Sequence, residues 1–157
     1  MENSNHFNVI VIGAGISGIG AGYYLKKNCP NKSFCIIEGR ENIGGTWDLF
    51  KYPGIRSDSD MFTLGYAFKP WKEQKTIANG PSILSYLEET VEENNLREKI
   101  KFSHKVLSAN WNSAERNWEV RAAHHEQEIL LTANFLFMGT GYSVSYTHLR
   151  AHETLLD

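Results

Sequence analysis

Apolar residues along this chain fall into short unbroken runs near the N-terminus and into helical or alternating spacings further on. Asn8 to Ile12 is almost continuously apolar, as a parallel strand buried on both faces should be. A helix is predicted from about Ala14 to Lys27, and a second apolar run, Ser33 to Ile37, predicts a second strand. Another helix is predicted over Pro81 to Asn94. Pro81 suits a first helical position, and Ile83, Leu84, Leu87 and Val91 share one face. Beyond Leu96 the runs shorten to Lys101–Phe102, Val106 to Trp111, Trp118 to Ala122 and Ile129 to Leu131, with polar turns such as Asn112 to Asn117 between them. That spacing predicts a small antiparallel meander. A last run, Phe135 to Met138, ends in Gly139-Thr140-Gly141 and predicts one more parallel strand returning towards the first. The stretch from Glu41 to Trp71 is irregular, but its aromatic residues need a place to pack.

The turn between the first strand and the first helix carries the chemistry. Val9 to Gly18 reads V-I-V-I-G-A-G-I-S-G. Gly13 gives the tight turn, Gly15 lets a pyrophosphate approach the backbone, and Gly18 lets the helix lie close to the sheet. The helix then aims its N-terminal N–H groups and positive dipole end at phosphates, where Ser17 adds a hydroxyl. The second strand delivers Glu38, whose carboxylate suits ribose hydroxyls and repels a 2′-phosphate; Arg40, nearby in sequence, would blunt that preference a little. Gly44-Gly45-Thr46-Trp47 follows within a few residues. These elements in this order point to bound FAD on a Rossmann-like α/β domain with a parallel sheet and a small antiparallel meander.

Composition removes other classes. At 157 residues the chain has room for about one domain, and a net charge of −2 gives no reason to expect nucleic acid or an anionic membrane. No apolar stretch is long enough to span a membrane, and the polar start, Met1 to Phe7, lacks a secretory pattern. Cys29 and Cys35 form neither a disulfide framework nor a C-x-x-C motif. A cytoplasmic protein is expected. Val144 to Thr154, V-S-Y-T-H-L-R-A-H-E-T, reads as a translated sequencing adapter. On that reading residues 1–143 are an incomplete FAD-binding domain and residues 144–157 a non-native tail. His124 and His125 are adjacent in an expected strand, so their side chains should point to opposite faces and not share a metal.

From Asn8 to Tyr142 the chain resembles the N-terminal FAD-binding part of class B flavoprotein monooxygenases, the group of Baeyer–Villiger and flavin-containing monooxygenases. The most specific stretch is G-G-T-W-D-L-F-K-Y-P-G-I-R-S-D-S-D-M, Gly44 to Met61. The resemblance implies that Gly45, Thr46, Trp47, Asp48 and Leu49 contact FAD and that Val106 meets the adenine side. It also implies that Arg56, Ser57 and Asp58 approach the junction of flavin and NADPH. Related disulfide reductases carry a redox cysteine after G-G-T; Trp47 in its place argues against thiol chemistry. Asp58 is the candidate catalytic residue, through an arginine of a later NADPH domain. Asp60 is expected to cap a turn, and Trp71 to lie in the core.

The implied reaction reduces FAD with NADPH and passes one oxygen atom of O2, by way of a flavin peroxide, to a ketone, sulfide or amine. A second glycine fingerprint and the F-x-G-x-x-x-H-x-x-x-W segment of Baeyer–Villiger enzymes do not occur in this sequence. The chain alone is therefore expected not to turn over NADPH. Two other readings stand beside this one: a non-catalytic FAD-binding module, and a flavin oxidoreductase of another kind such as an N-hydroxylase.

Overall fold

The structure is a computed structural model that describes residues 5–141; the segment read as a non-native tail lies outside the described residues. The centre is β1 (His6–Ile12), which pairs in parallel with β2 (Phe34–Ile37) on one side and with β6 (Gln127–Met138) on the other. All four residues of β2 are buried, and Ile10 and Val11 of β1 are fully so. Both faces of these strands are covered, which is why their sequences are unbroken apolar runs rather than alternating ones. The crossover between them is α1 (Ile16–Asn28).

β3 (Ile100–Lys101) lies parallel beside β2, while β4 (His104–Asn112) and β5 (Asn117–His124) extend antiparallel from β6. The order across one six-stranded sheet is β3-β2-β1-β6-β5-β4. Against one face pack α1 and α4 (Gly80–Glu93), with Ile19, Ile83, Leu87 and Val91 wholly buried. Asn79 caps α4 by accepting the Ser82 N–H at 2.8 Å, so Pro81 falls one position inside the helix instead of opening it. Two four-residue helices, α2 (Thr46–Leu49) and α3 (Met61–Leu64), interrupt the irregular stretch. Its aromatics do pack: Trp71 is buried, and Tyr66 stacks between Phe68 and Tyr86.

Three expectations about the strands are corrected. The Lys101 strand does not belong to the meander; it forms the parallel edge. Ile129–Leu131 and Phe135–Met138 are not two strands but one, β6, whose first half pairs antiparallel with β5 while its second half pairs parallel with β1. His125 is not in a strand at all. It sits in the turn after β5 with φ +53, so its ring tilts against His124 with centroids 4.3 Å apart instead of pointing away.

Candidate nucleotide-binding cleft

A cleft of about 380 Å³ opens where β1, β2 and β6 end. Its floor is the turn at Gly13 and Gly15, and one wall is Glu38 to Arg40 at the end of β2. The other walls are the Gly44-to-Leu49 turn, His104 to Val106 on β4, and Gly139 to Gly141 after β6. This is the carboxyl-end crevice in which open α/β sheets bind ligands. A larger groove, about 720 Å³, lies between α1, Val9 and Phe137 of the sheet and the Thr63-to-Tyr66 segment, but it is mostly apolar and no charged residue lines it.

Backbone proximity makes the cleft. A Cβ on Gly18 would overlap the carbonyl oxygen of Gly13, so only glycine lets α1 leave the turn at this angle. Gly44 and Gly45 have φ +112 and +55, conformations that side chains strain, and a Cβ on Gly45 would stand 3.1 Å from the Cα of Gly15. Two glycine turns therefore face each other with bare backbone. They are joined by the Gly44 N–H, which donates to the Ala14 carbonyl at 2.9 Å. The first turn of α1 holds no acidic residue, which keeps its positive end open to an anion.

Glu38 is buried and held from four sides. Its carboxylate oxygens accept the N–H groups of Ala14 at 2.8 Å and Arg40 at 3.0 Å. Its backbone N–H donates to Lys101 at 2.9 Å, and its carbonyl accepts from His104 at 2.8 Å. A carboxylate has about four acceptor positions, so the two N–H bonds leave capacity facing the cleft. On β4 the register shifts directly after Val106, the point at which that strand borders the cleft.

Of the residues singled out in sequence, Gly13, Gly15, Ser17, Glu38, Gly45, Thr46, Trp47, Leu49 and Val106 line the cleft together. Gly18 lies beneath it as a packing residue. Asp48 turns its carboxylate to the Arg40 guanidinium, 3.1 Å away, and does not line the cleft. Arg56, Ser57 and Asp58 lie outside it. Arg56 and Asp58 are exposed, and Ser57 is buried with its hydroxyl given to the Ser59 carbonyl. Asp60 caps α3 through the Thr63 N–H and hydroxyl, bonds that hold its carboxyl below the usual carboxylate range. Sequence reading missed His104 and Lys105, and it did not foresee that the Arg40 guanidinium donates to the Gly45 carbonyl. The Gly139–Gly141 return, expected from its sequence to come back to the nucleotide turn, does line the cleft.

The sequence profile of the NAD(P)-binding Rossmann-like domain matches residues 11–73. The chain is 52% identical over 139 residues to the FAD-containing monooxygenase EthA of Mycolicibacterium smegmatis, covering 88% of this chain and 28% of that protein. It is 52% identical over 136 residues to a probable FAD-binding monooxygenase, AlmA, of an Acinetobacter species, covering 86% and 27%. This chain is related to the FAD-containing monooxygenases. Solved structures agree. Oxidised steroid monooxygenase bound to NADP superposes with a TM-score of 0.78 at 29% identity, over 87% of this chain and 26% of that one. Closed cyclohexanone monooxygenase gives 0.77 at 30%, over 88% and 26%. The chain thus spans little more than a quarter of the monooxygenases it matches, and its described part holds the Rossmann-like start of their fold.

Proposed function

We propose that this chain is the FAD-binding portion of an NADPH-dependent flavoprotein monooxygenase that transfers one oxygen atom from O2 to a ketone, sulfide or amine. The observation that carries the reading is the pair of facing glycine turns set beside the buried Glu38 carboxylate. Bare backbone at Gly13, Gly15 and Gly45 leaves room for a pyrophosphate, and the positive end of α1 compensates its charge. Glu38 keeps acceptor capacity for ribose hydroxyls and repels a 2′-phosphate, which favours FAD over NADP at this cleft. Val106 and its neighbours on β4 border the adenine end, while Thr46, Trp47 and Leu49 border the flavin end.

When bound, FAD supplies reduction by a nicotinamide and the activation of O2. The residues of this chain bind and orient it, and Trp47 offers a flat apolar wall that keeps water from the ring. No cysteine borders the cleft among the described residues, which fits oxygen transfer and not disulfide exchange. Arg56, Ser57 and Asp58 fit this scheme as a surface met by an NADPH-binding segment of the full-length enzyme, where Asp58 would orient an arginine. We read residues 144–157 as foreign to the gene; a natural gene encoding the same tail would overturn that. The cytoplasm is our reading of where the enzyme works. Among the described residues no helix is long and apolar enough to cross a membrane.

The test is direct. The purified 157-residue chain should hold FAD, seen as a yellow protein with quenched flavin fluorescence, and should not oxidise NADPH. Failure to bind FAD at any attainable concentration would remove the reading. NADPH oxidation by the chain alone would contradict the division of labour.

A further inference from the structure

Arg40 occupies an unusual place at the edge of the cleft. Its guanidinium donates to the Gly45 carbonyl at 2.8 Å and pairs with the Asp48 carboxylate at 3.1 Å, while its Nε lies 3.7 Å from Glu38. Its own backbone N–H donates to the Glu38 carboxylate at 3.0 Å. One residue therefore touches the wall suited to ribose, the glycine turn suited to the flavin chain, and the first turn of α2. The side chain is about one-third exposed, so it borders the cleft without filling it.

We propose that Arg40 is a positioning residue that latches the Gly44–Gly45 turn to Glu38 and so fixes the spacing of the two walls between which FAD lies. The inference rests on the function proposed above. Gly45 needs such a latch. With φ +55 and ψ −122 its backbone has access to many other conformations, because no Cβ restricts it. A guanidinium is suited to the task because its rigid fork serves a carbonyl and a carboxylate at once, and charge-assisted bonds are the stronger class. An ammonium at the same place is a point charge on a flexible stem and would satisfy one partner at a time. Because the peptide unit is planar, holding the Gly45 carbonyl also sets the direction of the Thr46 N–H at the cleft wall.

The experiment measures FAD affinity by flavin fluorescence quenching, and apoprotein melting, for the 157-residue chain and for Arg40→Met, Arg40→Lys, Asp48→Asn and the Arg40→Met/Asp48→Asn double variant. Arg40→Met should raise the FAD Kd about tenfold, the loss expected of a charge-assisted bond. Arg40→Lys should recover only part of that loss. Asp48→Asn should cost less in the Arg40→Met background than alone, since both act through one latch. Should Arg40→Met fail to fold, Arg40→Lys against the unaltered chain carries the test, and equal affinity overturns the proposal. A lower melting temperature with unchanged FAD Kd would mark Arg40 as merely stabilising and overturn it too, as would simple additivity of the two changes. An unaltered chain that binds no FAD fails the underlying function, and the latch with it. An unaltered chain that binds while Arg40→Met binds equally well fails the latch alone.

Discussion

The cleft from Gly13 to Leu49 and the segment from Arg56 to Asp58 read alike in sequence, yet they end in different states. In the first, nearly every singled-out residue lines one cleft, and the groups that do not, Gly18 and Asp48, support those that do. In the second, two charged side chains stand in solvent, and the serine between them is consumed by its own turn. The difference lies in what each needs. The cleft is made of backbone geometry and short-range hydrogen bonds that this chain supplies to itself. Arg56 and Asp58 are exposed, and the role proposed for them needs a surface that only a larger enzyme would bring.

The largest expected effect attacks the self-sufficient region. Gly18→Ala should destabilise the chain by about 3 kcal/mol, an overpacking cost that cannot relax because the obstacle is the Gly13 backbone. It should also abolish FAD binding. Urea unfolding would show it as a lower midpoint, and an unchanged midpoint would mean that the turn adapts.

A middling effect is expected from pH. Burial, aided by the charges of His124, Lys101 and His125 and opposed by the Phe102 carbonyl, holds the His104 imidazole below its ordinary value of 6.5. The unfolded chain therefore takes up this proton first as pH falls. Stability from the neutral imidazole is fully present above about pH 6.5 and is lost below it. The melting temperature should fall between about pH 7.5 and about pH 5.5, and His104→Gln should flatten that slope. A parallel slope in the variant would assign the pH dependence to another group.

The smallest effect is expected in the second region. Asp58→Asn should leave stability within about 0.5 kcal/mol and FAD affinity unchanged in this chain, since an exposed side chain away from special features rarely does more. A marked loss of FAD affinity would erase the contrast and place Asp58 in the cleft after all.

Much of this was legible beforehand, for identifiable reasons. β1, α1 and β2 announce themselves because burial on both faces demands unbroken apolar runs and the turn demands glycine. Glu38 could be placed by its position at the end of a strand. The unity of β6 was hidden, because Thr132 and Asn134 interrupt its apolar pattern and look like a turn between two strands. β3 was misplaced because two residues carry no directional signal. The bonds of Arg40 to Gly45 and Asp48 were hidden because its sequence position gives its distance from Glu38 but not the direction of its fork. The exposure of Asp58 was not readable at all, since polarity and motif membership look the same whether or not a partner surface is present.

The long reach of β6 has a consequence for how the molecule comes into being. β1 leaves the ribosome before the other described strands, but its partner on one side follows more than a hundred residues later; His6 and Thr132, hydrogen-bonded across that seam, stand 126 residues apart. Until β6 arrives, β1 keeps one edge unpaired, and the wall at Gly139 to Gly141 does not exist. Pairings of such separation are slow to form, and open edges invite association with other chains. The cleft is thereby completed only at the end of translation of this region, and β1 stays half-paired while residues 13–126 are made.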